Sequence, residues 1–215
     1  TEEFDYDEAG VFTSQAYDAS AVQILANLMA GANDGEGIRD HMRVVANPGG
    51  TTYTPSELPE AAEAAANGEN IQYQGASSTV NFDDAGDGGV ETRNTIDFGG
   101  SGDVPEPEPA ASGSGSDRTV MLGVLQPETG DLGSLGQAIR DAALLPARQL
   151  GDSIDQTIDT QTGDTQSTAQ AAVDAANSLV SAGYPSITGA ASSEATIQVA
   201  RNVLVDSRLD VTDHH

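Results

Sequence analysis

Small polar side chains follow one of the predicted strands, at the place where many open α/β sheets bind ligands. The strand is predicted over Pro185–Gly189, and the residues that follow it at a helix start are Ala191, Ser192, Ser193 and Thr196. Helix N-termini present free N–H groups, which together with the hydroxyls suit a ligand carboxylate. A structural role is the alternative, in which Ser192 or Ser193 caps the helix and Thr196 is exposed.

Other residue patterns give no support for catalysis or for a bound metal. Asp83, Asp84 and Asp87 fit a hairpin turn, because Ala85 interrupts the alternating acidic pattern that an EF-hand-like calcium loop needs. The segment GAASS does not match the G-x-S-x-G pattern of a nucleophile elbow. Phosphate-loop and dinucleotide-binding motifs are also missing from the sequence. We therefore expect a non-enzymatic protein without catalytic residues, metal or cofactor.

Acidic residues greatly outnumber basic ones along the whole chain. Of 215 residues, 34 are Asp or Glu and 8 are basic, all arginine, which gives a formal net charge of −26. Such charge opposes compaction in dilute buffer, whereas at about 1 M salt the screening length falls to roughly 3 Å. Intrinsic disorder is disfavoured because apolar residues reach 37% and recur periodically in several segments. The composition predicts adaptation to high salt.

The same composition limits the partners and the location. A strongly acidic surface argues against nucleic acid or an anionic membrane as partner, since both attract basic patches. The chain has no cysteine, which excludes disulfides and lipid attachment through a thiol. No apolar run approaches the ~20 residues of a membrane span, and no signal peptide is recognised at the start. A mature product and an excised piece both fit a chain that begins without methionine.

A glycine-, serine- and proline-rich segment over 99–117, GGSGDVPEPEPAASGSGSD, is predicted to be a flexible linker. The segment before it, 1–98, is predicted to contain helices followed by a β-hairpin. Asp18 is expected to cap the first helix, and Gly31 to end it. The predicted helices cover Gln15–Ala30, Gly35–Val45 and a stretch after Ser56, and the predicted strands cover Ile71–Tyr73, Ser78–Phe82 and Glu91–Phe98.

The segment after the linker, 118–205, is predicted to alternate strands and helices, and 206–215 to be a disordered tail. The predicted strands are Thr119–Leu125, Ile154–Asp159 and Pro185–Gly189, and the predicted helices are Leu135–Gln149, Ser167–Ala182 and Ser192–Val203. Short loops between alternating elements favour a parallel sheet flanked by helices. The fold class is therefore predicted to be α/β, with an additional small β-hairpin.

Several segments of the sequence resemble parts of one known protein family. In the second half these are VMLGVLQPETGDLGSLGQAIRDAALLPARQL, IDQTIDTQTGDTQSTAQAAVDAANSLVSAG and YPSITGAASSEATIQVARNV. In this order they resemble the N-terminal lobe of solute-binding proteins of the amino-acid (leucine/isoleucine/valine) class of ABC importers, which have the periplasmic-binding-protein type I fold. In the first half, FTSQAYDASAVQILANLMAGANDGEGIRDHMRVVANPGG and IQYQGASSTVNFDDAGDGG resemble the late helices and late hairpin of that family.

The resemblance implies an inverted order of the family's parts. The linker resembles the tether of haloarchaeal members without its lipid-anchoring cysteine, and it joins a C-terminal-like part to an N-terminal-like part. Most of the second lobe is missing, which in this family supplies the hinge and the partner of the ligand's ammonium group. Both halves are therefore expected to build one circularly permuted α/β lobe.

The resemblance also implies a function and further site residues. It implies an extracellular or cell-surface component that captures a small amino-acid-like ligand for the membrane subunits of an ABC importer. The loop Thr129–Gly136, with Leu135, is expected to close over the ligand, unless it is an ordinary turn between strand and helix. Phe12 is expected to face the ligand side chain, with a core position as its alternative. A structural or interaction protein that reuses the lobe without binding a ligand, including a domain-swapped homodimer, is the alternative function.

Overall fold

The structure is a computed structural model that describes residues 10–83, 118–151 and 153–204. The helices are α1 Thr13–Ala30, α2 Gly35–Ala46, α3 Leu58–Ala66, α4 Gly133–Leu150, α5 Ala169–Ser181 and α6 Ser193–Val199. The strands are β1 Thr51–Tyr53, β2 Ile71–Tyr73, β3 Thr119–Gln126, β4 Thr157–Asp164 and β5 Ile187–Gly189. A short 3-10 helix, Pro55–Glu57, precedes α3, and a π-helical turn, Ala200–Leu204, follows α6. The α/β fold class predicted from the sequence is confirmed.

The described residues form two compact units. The first unit contains 10–17, 121–145 and 159–204, and the second contains 18–83, 118–120, 146–151 and 153–158. Each unit combines residues from both sides of the predicted linker. The linker itself, the predicted strand Glu91–Phe98 and the tail 206–215 lie outside the described residues.

The first unit is built on a parallel sheet with the strand order β4-β3-β5. The β3–β5 register pairs Gly123 with Ile187 and Leu125 with Gly189. Successive residues of β3 point to opposite faces of the sheet. On one face, Leu125 packs with apolar residues of α5, α6 and the turn after α6, namely Ala172, Ala176, Ala195, Val199 and Val203. On the other face, Val124 packs with Ala16, Ile139 and Ala143.

β4 corrects one prediction from the sequence. The sequence predicts a strand over Ile154–Asp159 followed by a loop, whereas the strand runs over Thr157–Asp164. Its residues TIDTQTGD are polar apart from Ile158 and are at best half-buried, so hydrophobic patterning does not reveal them. Threonine is β-branched and favours extended backbone, which suits a polar strand at the edge of the sheet.

The second unit contains most of the first-half helices and a small parallel sheet. β1 pairs with β2 in parallel, with Thr51 opposite Ile71 and Tyr53 opposite Tyr73. The sequence does not predict β1, since a three-residue strand with two exposed threonines carries little pattern. The predicted strand Ile71–Tyr73 is confirmed as β2, whereas the prediction of a continuous strand over Ser78–Phe82 is wrong. Instead, β2 pairs with β1, and Thr79 makes an isolated antiparallel bridge to Gln74.

Asp18 also differs from the prediction. It lies inside α1 rather than at its start, and it is only 3% exposed. Its carboxylate accepts hydrogen bonds from the hydroxyl of Tyr73 (2.9 Å) and from the N–H groups of Ala76 (2.7 Å) and Ser77 (2.8 Å). The side chain therefore holds the turn after β2 against α1, which is a tertiary contact that local helix signals do not show. Gly31 ends the helix as predicted, with a φ of 68°.

Candidate functional site

The carboxyl ends of the three parallel strands bring three loops together in the first unit. These loops follow β3 (127–132), β4 (165–168) and β5 (190–192), and we call them together the carboxyl edge. Ligands of open α/β sheets bind beyond the carboxyl ends of strands. The candidate residues Ala191 and Ser192 lie in this edge, and Ser193 and Thr196 lie on α6 directly after it.

Asp164, the last residue of β4, holds the loop after β3. Its carboxylate accepts hydrogen bonds from the N–H of Glu128 (2.9 Å) and from the hydroxyl of Thr129 (2.6 Å). The N–H groups of Thr129 (3.2 Å) and Gln166 (2.8 Å) also donate to it. Partial burial alone would raise the pKa of Asp164, but these hydrogen bonds to the ionised form outweigh it and lower the pKa below its usual value.

Ser167 joins the same two loops a second time. Its hydroxyl lies 3.0 Å from the carbonyl oxygen of Thr129, to which it donates, and it accepts from the N–H of Leu132 (2.9 Å). Gly130 has a φ of 80°, and a Cβ at this position would lie 2.6 Å from the carbonyl oxygen of Gln166. A glycine is therefore required for the two loops to approach this closely.

Arg140 of α4 anchors the start of the loop after β3. Its guanidinium contacts the carboxylates of Glu128 (2.7 Å) and Asp141 (2.6 Å). Burial would lower the pKa of Arg140, but the hydrogen bonds and charges of these two carboxylates raise it. Together with the contacts of Asp164, this ion pair gives the loop a defined conformation. Both sequence interpretations of Thr129–Gly136, a ligand-covering loop and an ordinary turn, are compatible with this geometry.

Gln126 is a further candidate residue, which the sequence analysis misses. It ends β3 in the middle of the carboxyl edge, is only 3% exposed, and no described residue donates a hydrogen bond to its Oε1. A Cβ on Gly189 would lie 3.2 Å from its Nε2, so the amide lies beside the end of β5. The available signal is a single amide that closes the apolar run VMLGVL at a predicted strand end.

The hydroxyl residues at α6 have structural partners. Ser192 caps the helix, because its Oγ accepts from the N–H of Ala195 (3.2 Å). Thr196 is exposed, and its hydroxyl lies 3.1 Å from the carbonyl oxygens of Ala190 and Ser192. These contacts match the structural alternative for both residues, whereas Ala191 and Ser193 are exposed at the edge.

The two apolar candidates lie in different environments. Phe12 is 58% exposed beside Val11, which is 63% exposed, so the alternative of a core position for Phe12 is wrong. Leu135 lies in the first turn of α4 and is half-buried against the cluster that contains Val124 and Ile139.

An open groove of about 510 Å³ runs from the end of β4 along α5, and its polar lining residues include Asp164, Gln166, Thr168, Gln170, Asp174 and Ser178. Within 10–83, 118–151 and 153–204, no helix is both long and apolar enough to cross a membrane. In the same part of the chain, no three His, Asp or Glu side chains are grouped to hold a metal ion; Asp84 and Asp87 lie outside it.

No protein-family model, curated protein or solved structure matches the chain significantly.

Proposed function

We propose that the chain is an extracytoplasmic lobe that binds a small amino-acid-like ligand and serves an ABC importer of a halophilic cell. The observation that carries this proposal is the carboxyl edge, where three parallel strands end in polar loops around the buried amide of Gln126. The resemblance of the sequence to amino-acid-type solute-binding proteins supports the ligand class and the extracellular location. The net charge of −26 supports a saline setting.

The resemblance implies that these 215 residues form a single lobe, and a single lobe covers a ligand from one side only. Tight binding of small ligands requires burial of most of their surface. We therefore expect weak binding, with a Kd of about 1 mM for L-leucine.

Phe12 gives a direct test of this proposal, because its exposed ring contributes little to the core. We expect Phe12→Ala to weaken L-leucine binding severalfold in molar potassium chloride, measured by NMR titration, with little change in the unfolding midpoint. Val11→Ala is the matched control, since it truncates a neighbouring exposed apolar side chain. Equal affinities of the two variants would contradict a ligand contact of Phe12. Absence of binding to the unaltered chain would favour the alternative of a structural or interaction protein.

A further inference from the structure

Gln126 is buried at the end of β3, the middle strand of the three. Its backbone carbonyl accepts a hydrogen bond from the N–H of Thr165 (3.1 Å), which follows β4, and its amide lies beside Gly189 at the end of β5. The residue thus touches the chain at the carboxyl ends of both neighbouring strands. Ligands of open parallel sheets bind beyond the carboxyl ends of strands, and Gln126 is the last residue of β3.

The Oε1 atom of Gln126 is a buried acceptor to which no described residue donates. Buried polar side chains in folded proteins nearly always have a hydrogen-bond partner, because loss of hydration without a partner is unfavourable. An apolar residue of similar length would avoid this cost at the end of β3. The described residues of the folded lobe thus leave this acceptor without a donor.

We propose that Oε1 of Gln126 accepts a hydrogen bond from the ligand and thereby selects ligands that carry a donor, which is the α-ammonium group of an amino acid. This inference rests on the proposed function, and it adds the recognition of the ammonium group to it. A site with a buried acceptor discriminates strongly against an analogue that lacks the donor, since the acceptor then stays unpaired.

L-leucine and isocaproate are the probes for this proposal. Isocaproate has the carbon skeleton and carboxylate of leucine but lacks the ammonium group. We expect the unaltered chain to bind L-leucine about tenfold more tightly than isocaproate, as measured by NMR titration in molar potassium chloride. We expect Gln126→Met, which keeps the length of the side chain but removes the acceptor, to bind both compounds equally weakly.

A second measurement separates ligand recognition from a structural role. Without ligand, Gln126→Met is expected to unfold at a higher temperature than the unaltered chain, because the unpaired acceptor is removed. The control is Gln161→Met, which changes an exposed glutamine of β4 and is expected to leave the binding preference unaltered. A lower unfolding midpoint for Gln126→Met would show that the amide is already paired in the folded lobe, for example with buried water, and would overturn the proposal.

The outcomes distinguish this inference from the proposed function. If L-leucine binds the unaltered chain and Gln126→Met with equal affinity, or no better than isocaproate does, the role of Gln126 is refuted while the proposed function stands. If neither compound binds the unaltered chain, the proposed function fails and the inference fails with it.

Discussion

The hydroxyl of Thr129 donates a hydrogen bond of 2.6 Å to the carboxylate of Asp164, which joins the loop after β3 to the end of β4. The N–H groups of Thr129 and Glu128 donate to the same carboxylate. One ionised side chain therefore organises two of the three loops of the carboxyl edge.

Replacement of Asp164 by Asn is expected to destabilise the chain by roughly 1 kcal/mol at neutral pH, after allowance for its partial exposure. Because the folded-state pKa of Asp164 is lowered, its stabilisation is fully present above the ordinary aspartate pKa of about 4. It is lost as the pH falls through the lower folded-state pKa. Asp131→Asn is the matched control, since it removes the same charge from an exposed position in the same loop. Denaturant unfolding that gives equal stabilities for both variants at neutral pH would contradict the role of Asp164.

Replacement of Gly130 by alanine tests the close approach of the loops after β3 and β4. Gly130→Ala forces a left-handed backbone on alanine and places its Cβ 2.6 Å from the carbonyl oxygen of Gln166. Gly183→Ala imposes a similar backbone cost at a φ of 91°, but its nearest neighbour, Cε of Met121, is 4.0 Å away. We expect Gly130→Ala to lose at least about 1 kcal/mol more unfolding free energy than Gly183→Ala. A smaller loss for Gly130→Ala in urea unfolding would be inconsistent with this packing.

Asp18 is expected to be the most sensitive polar residue of the second unit. Asp18→Asn replaces the carboxylate that accepts hydrogen bonds from Tyr73, Ala76 and Ser77 by a neutral amide. We expect the free energy of unfolding to fall by about 2–3 kcal/mol. Tyr73→Phe removes one of these hydrogen bonds, and we expect it to lower the free energy of unfolding by about 1 kcal/mol. Thermal unfolding of both variants checks that Asp18→Asn is the less stable of the two. Asp18→Asn with unaltered stability would show that the turn after β2 does not depend on this carboxylate.

Much of the fold is predictable because its main elements carry strong local signals. The apolar residues of α1 recur at helical spacing, and β3 is a continuous apolar run, so both are predicted within two residues. β4 is misplaced because its polar threonine-rich residues resemble a loop. Short strands such as β1 are defined by their partner strand rather than by their own sequence.

The candidate site is less predictable than the fold. The sequence identifies the loop after β5, because hydroxyl residues at a helix start form a recognisable pattern. It does not identify Asp164 or Gln126, since their importance depends on contacts between loops that are distant in the chain. Asp164 is one of 34 acidic residues, and composition alone cannot separate it from the others.

The net charge of −26 predicts that stability increases with salt. Screening reduces the repulsion between carboxylates first, and at higher concentrations salt also favours burial of apolar surface. We expect the helical circular dichroism signal to fall on dialysis from molar potassium chloride into dilute buffer at neutral pH, and to recover when salt is restored. A thermal midpoint that is the same at about 0.05 M and about 2 M salt would contradict halophilic adaptation.

The most direct test of the proposed ligand site is a backbone-amide NMR titration of the isotope-labelled chain with L-leucine in molar potassium chloride. We expect saturable shifts concentrated at Phe12 and at 126–132, 164–168 and 189–196, with a Kd of about 1 mM. The internal comparison is the groove between α5 and α6, which includes Val173, Gln198 and Asn202 and should not respond. Shifts confined to that groove, or no shifts at saturating leucine, would contradict a ligand site at the carboxyl edge.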